Sequence, residues 1–152
     1  MGGKGYGAFV ALRVDRQIHP AGAKRVTFAL SNKSRTRLAG VHPKLCAVVS
    51  LAITISDIDF CVLEGVRTIE RQRELVASGA SQTMRSRHLT GHAVDLGAMV
   101  GGEVRWDWPL YDQIAVAMKE AARLTGTPIE WGGDWKTFKD GPHWQLPWAE
   151  YP

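Results

Sequence analysis

"SRHLTGHAVDL", residues 86–96, decides how the chain folds around its chemistry. Histidines four apart, at 88 and 92, have the spacing with which a helix offers two imidazoles to zinc. A helix is disfavoured here, because Thr90 and Gly91 lie between them and Val94 follows at once; these are poor helix formers in so short a stretch. A strand starting near residue 92 suits the stretch better. Side chains then alternate faces, so His92, Val94 and Leu96 share one face, with Ala93 and Asp95 on the other. Val94 and Leu96 belong in a core. Asp95 looks out past small Ala93 and Gly91, which leave room for an ion.

The same alternation recurs in "PHWQL" (142–146), where Trp144 and Leu146 point one way and His143 and Gln145 the other. "AVDLGAMV" (93–100), "DFCVLEGVR" (59–67) and "PIEWGGDW" (128–135) read as further strands, the second ending at Arg67. "KRVTFAL" (24–30) alternates weakly, as an edge strand does. Between them lie helices. "SNKSRTRLAGVHP" starts a short one with Ser31 or Asn32 as its cap. "PKLCAVVSLAITIS" (43–56) has proline in its first turn and buried-helix spacing. Thr68 caps a third helix that Gly79 stops. "DWPLYDQIAVAMKEAARLTG" (107–126) is amphipathic, with Leu110, Ile114, Met118, Ala121 and Ala122 on one stripe. Strands interrupted by helices predict an α+β fold: a small, largely antiparallel sheet flanked by helices.

The 152 residues are long enough for one domain with its own core. We place that domain at 31–152, with 1–30 as a basic N-terminal arm that either stands apart or joins it. Residues 1–37 carry eight Lys/Arg and one Asp, whereas the remainder carries eleven Lys/Arg against fourteen acids. Such an arm suits contact with an anionic surface as well as plain solvation. With the charge confined to the arm, a nucleic-acid partner is not expected. No apolar run approaches the ~20 residues of a membrane span, and the N-terminus lacks a signal-peptide core. Cys46 and Cys61 sit among apolar residues and read as two buried thiols, although their spacing does not exclude a disulfide. All six tryptophans lie beyond residue 105, and packing is a better reading for them than a sugar platform.

His88, Asp95 and His143 make an N/N/O ligand set of the kind that holds catalytic zinc with one position open. On residue chemistry alone, this reading stands level with ordinary polar side chains. Glu130 and Asp134 flank a Gly-Gly pair and rank beside Asp140 as candidate bases.

A wider resemblance bears on that choice. "SRHLTGHAVDL" is similar to the S-x-H-x-x-G-x-A-x-D pattern of the M15 zinc peptidases. "LAGVHPKL" (38–45), "VLEGVRTIERQRELVASGAS" (62–81), "WPLYDQIAVAMKEAA" (108–122), "IEWGGDW" (129–135) and "FKDGPHWQLP" (138–147) extend it over roughly residues 31–148. The run resembles most the L-alanyl-D-glutamate endopeptidases that serve as phage endolysins and bacterial wall hydrolases. The resemblance implies the D-Ala-D-Ala peptidase/hedgehog-like fold and one zinc per chain on His88, Asp95 and His143. It implies Asp140 as general base (some branches carry Glu there) and Arg67 as the group polarising the carbonyl under attack. Ser86 and Gln72 match motif positions with substrate or supporting roles, and His92 falls on a variable one. The function implied is a monomeric peptidoglycan endopeptidase cutting stem peptides between L-Ala and D-Glu. It would be made in the host cytoplasm and reach the wall once another factor opens the membrane. A D-Ala-D-Ala carboxypeptidase or dipeptidase shares every metal residue, and a non-catalytic wall-binding zinc module shares the cluster.

Overall fold

The structure, a computed structural model, describes residues 25–152. Most of the basic arm therefore lies outside the described residues. Arg25 to Leu30 form no strand, contrary to the alternation of 24–30; this segment instead packs Phe28 and Leu30 onto the core.

Four helices and five strands follow: α1 Asn32–Arg37, α2 Pro43–Ile55, β1 Asp59–Glu64, α3 Ile69–Ala77, β2 Ala93–Val100, β3 Glu103–Arg105, α4 Trp108–Thr125, β4 Glu130–Trp131 and β5 His143–Gln145. The helix starts follow from local chemistry. The Ser31 hydroxyl accepts from the Ser34 N–H, and the Thr68 hydroxyl from the Arg71 N–H, each filling an otherwise orphan donor of a first turn. Gly126, at φ 65°, ends α4 in the left-handed conformation that glycine adopts without strain.

The sheet runs β1-β2-β5-β4, every pair antiparallel. β3, where the sequence suggests only a turn, folds back as a hairpin on the far end of β2. Its three residues are too few for a periodic signal. Beneath the sheet, α2 contributes Leu45, Val48, Val49 and Ile53, and α4 contributes Ile114, Met118 and Ala121. Val62, Val94, Leu96 and Trp144 meet them from the strands and Leu146 from just beyond β5, each 1% exposed or less. Side chains of this size each contribute roughly 1.5–3 kcal/mol when fully buried. That core holds β2 and β5 in register with their alternate residues facing the other way. Cys46 and Cys61 are unpaired, and half-buried rather than fully buried.

Two local departures from the sequence expectation shape the site. β1 stops at Glu64, so Arg67 lies in the turn beyond the strand rather than at its end. Residues Arg87–Thr90 form one 3-10 turn, where the sequence predicts no helical structure. Ser86 caps it and Gly91, at φ 73°, closes it before β2 begins. A side chain on Gly91 would run into the Gly40 carbonyl, so glycine is required for space as well as conformation.

Candidate metal centre

The 3-10 turn carries His88 to the outer face of the sheet, where β2 and β5 pair with Asp95 directly opposite His143. One ligand atom from each of His88, Asp95 and His143 lies within 4.8 Å of the others. The four-residue spacing of His88 and His92 is therefore incidental. His92 bonds Thr90 through Nδ1 and lies tilted against His42, with ring centroids 5.5 Å apart, away from the cluster.

The tautomers of the two clustered imidazoles are set from behind. His88 Nδ1 lies 2.7 Å from the Gly65 carbonyl, which can only accept, so Nδ1 carries the proton. Its Nε2 faces Asp95 Oδ1 at 3.2 Å. For His143 the constraint passes through two further side chains. Glu130 accepts from the Gln145 amide nitrogen at 2.8 Å, which turns the Gln145 amide oxygen towards His143 Nε2 at 2.9 Å. That nitrogen must donate, and Nδ1 is left facing the same Asp95 oxygen at 3.2 Å.

Two imidazole lone pairs thus converge on one carboxylate oxygen. Acceptors held this close repel unless a cation, a proton or a metal ion, sits among them. The donor set of two imidazole nitrogens and a carboxylate suits zinc, and partners that fix each ligand's tautomer are the usual support of such sites. Burial alone would raise the pKa of Asp95, but hydrogen bonds from His143 and His88, given when a proton sits between them and the carboxylate, hold it well below the usual carboxylate range. Burial would lower that of His143; its bond to Asp95 outweighs this and raises it.

Around the cluster stand the other residues singled out from sequence. Arg67 is nearly buried and grips Glu64 with Nε and Nη2, at 2.9 and 2.5 Å, with Asp95 Oδ2 3.6 Å away. Its Nη1 donates to Gln72 at 2.7 Å. Gln72 sits on α3 but does not face solvent. It is fully buried, and its amide nitrogen donates to the Ser81 hydroxyl and the Thr83 carbonyl, tying the 79–86 loop to Arg67. The Ser86 hydroxyl accepts from the His88 N–H at 3.3 Å, so it supports the turn that presents His88.

Asp140 approaches from the loop before β5. Its N–H donates to the Gly132 carbonyl, and its own carbonyl accepts from the His143 N–H. A side chain at 132 would strike the Asp140 backbone, so glycine there lets the two loops close together. Burial, and then the Asp95 charge, push the Asp140 pKa up, against the pull of His143, His88 and Arg67. A carboxylate moved in this direction is a better proton acceptor near neutral pH. The rival candidates are otherwise engaged: Asp134 is exposed and paired with Lys119, and Glu130 holds Gln145.

His88, Asp95, His143, Arg67, Ser86 and Asp140 open onto one cleft of about 550 Å³, whose outer wall includes Trp135, Phe138 and Trp148. Trp131 and Trp144, by contrast, are stacked and buried, so packing accounts for them but not for the whole set of tryptophans. Sequence reasoning offers Glu64 or Glu70 as an ion-pair partner of Arg67, and the structure selects Glu64; it missed Gln145 and Glu130 as supports. Alternation puts Gln145 beside His143, but only the β4–β5 pairing brings Glu130 to it.

A His–Asp–His cluster in an open cleft, with a carboxylate and an arginine beside it, defines a class: hydrolases built around a metal-ready centre. Comparison with known proteins makes this specific. The model of the phage L-alanyl-D-glutamate peptidase family matches residues 26–144, and the chain belongs to that family. The L-alanyl-D-glutamate peptidase of Escherichia phage T5 is 29% identical over 119 residues, covering 76% of this chain and 87% of that protein. The peptidase of the same name from Listeria phage A118 is 42% identical over 94 residues, 62% of this chain but only 32% of that one. Among solved structures, the Serratia marcescens L-Ala D-Glu endopeptidase ChiX superposes with a TM-score of 0.79 at 53% identity, over 85% of this chain and 96% of that one. The protein is a peptidase of this family, with the α+β architecture expected.

Proposed function

We propose that this protein is a zinc-dependent endolysin-type endopeptidase, acting at the bacterial cell wall on the L-Ala–D-Glu bond of peptidoglycan stem peptides. The observation that carries the proposal is the convergence of two tautomer-fixed imidazoles on Asp95, with the Asp140 carboxylate lining the same cleft. The bond assigned rests on the phage and Serratia relatives.

His88, Asp95 and His143 would hold the zinc, which supplies Lewis acidity that brings the pKa of a water towards about 7. Asp140 accepts the proton of the attacking water and passes it to the departing amine of D-Glu. Arg67 offers the N–H groups not engaged by Glu64 and Gln72 to the oxyanion that grows on the L-Ala carbonyl. Glu64 and Gln72 hold that guanidinium in place beside Asp95, and Ser86 steadies the turn bearing His88. The nearness of Asp140 and Arg67 to the cluster speaks for a catalyst rather than a wall-binding module.

Mass spectrometry of fragments released from purified peptidoglycan tests the proposal. New D-Glu amino termini, lost on chelation and restored by zinc, are expected. Free D-Ala as the product would refute the endopeptidase assignment in favour of a carboxypeptidase.

A further inference from the structure

Three arginines and no lysine line the cleft, and two of them already hold partners in the protein. Arg67 is bound to Glu64 and Gln72. Arg87 is 2% exposed, and its guanidinium donates to the carbonyls of Leu146 and Tyr151, pinning the end of the chain. Arg85 differs from both. It is exposed, and among the described residues its guanidinium has no carboxylate or carbonyl partner. It lies over the Trp148 ring, 5.2 Å from the centroid, and the buried Arg87 guanidinium lies 4.0 Å from the same ring.

An arginine mounted on an indole keeps its planar fork presented, and so gives up little freedom when it takes a carboxylate. The acids of the cleft, Glu64, Asp95 and Asp140, cluster around Arg67 and the histidines. Those acids already balance Arg67, so the guanidinium left open to a substrate carboxylate is that of Arg85 at the rim, where Arg87 adds a second positive charge. Glutamate within a peptide chain uses one carboxyl for its link and keeps the other free.

Resting on the L-Ala–D-Glu reading, we propose that Arg85, carried by Trp148, binds that free carboxylate and makes the enzyme select D-Glu over its carboxamide form after the cut. The test uses two synthetic stem peptides that differ only in carboxylate or carboxamide at this position. Zinc-loaded wild type, Arg85→Gln and Arg85→Lys are compared. Wild type should favour the carboxylate by about tenfold in kcat/KM, in keeping with one charge-assisted hydrogen bond. Arg85→Gln should erase most of that ratio, chiefly through KM, while Arg85→Lys keeps part of it and added salt weakens it. No preference in wild type, or an equal loss on both peptides in Arg85→Gln, would overturn the proposal and leave the endopeptidase reading intact. Wild type that binds zinc yet cuts neither peptide would overturn that reading, and this proposal with it.

Discussion

The floor of the cleft and its rim are made of different material. On the floor, Asp95 and His143 sit on paired strands, and His88 sits on a turn capped by Ser86 and closed by Gly91. Each imidazole has a partner behind it: Gly65 for His88, Gln145 and then Glu130 for His143. The rim comes from the loops at 79–86 and 135–140, with exposed Arg85 and Phe138. Phe138 even holds φ at 54°, a conformation that costs a bulky residue energy and tends to be kept near functional sites. The contrast assigns the work. Groups whose lone pairs must be fixed stand on the sheet or the capped turn beside it, where the core keeps register; the exposed side chains stand on the loops around them.

If the floor is the metal centre, substitutions there should act on metal and turnover, and equivalent changes just outside it should not. Asp95→Ala carries the largest expected effect: loss of stoichiometric zinc and of activity. His92→Ala, four residues from His88 but off the cluster, should retain one zinc per chain by metal analysis.

Next in size is Asp140→Asn, which keeps the shape but removes the proton acceptor. Zinc content and fold should be unchanged, with kcat reduced by roughly 10²-fold or more. Asp134→Asn and Glu130→Gln should reduce kcat far less, since neither carboxylate is free to face the cluster. Near-native turnover in Asp140→Asn would move the base elsewhere.

Support of the floor is tested by Gln145→Leu. Without the amide oxygen, His143 is no longer held with Nδ1 towards Asp95, and zinc affinity should fall about 10–100-fold, as for other outer partners of metal ligands. Chelator competition measures it.

A smaller effect concerns pH. In metal-stripped protein the pKa of His143 is raised above its ordinary 6.5 by Asp95, which outweighs burial. A raised folded pKa stabilises the protein fully below the unfolded value, and that stability is lost as pH rises through the folded one. The melting temperature of stripped protein should therefore fall as pH climbs above about 6.5. Added zinc should restore more at higher pH, because it takes the proton's place. A stripped protein that gains stability over this range would contradict the coupling of His143 to Asp95.

What is readable from sequence divides along the same line. Alternation around Val94 and Leu96, and again around Trp144 and Leu146, places Asp95 and His143 opposite the core, because a buried face leaves only one register open. The amphipathic stripe of 107–126 and the caps at Ser31 and Thr68 mark helices for equally local reasons. Features that depend on pairing across the chain are not readable. The burial of Gln72 is one such feature, because nothing local reveals that Arg67 and the 81–83 loop close over it. The relay from Glu130 through Gln145 arises only when β4 lies beside β5. The hairpin strand β3 and the 3-10 turn at 87–90 are too short to carry a period of their own.

The central claim, that two imidazoles are pre-set to share a cation with Asp95, is tested most directly by nitrogen-15 NMR of labelled histidines during a zinc titration. Before zinc at high pH, His88 should show its proton on Nδ1 and His143 its proton on Nε2. One equivalent of zinc should then shift His88 Nε2 and His143 Nδ1 together, and leave His92 and His42 unmoved. A shift at His92, or the same protonated nitrogen in both His88 and His143, would contradict the account.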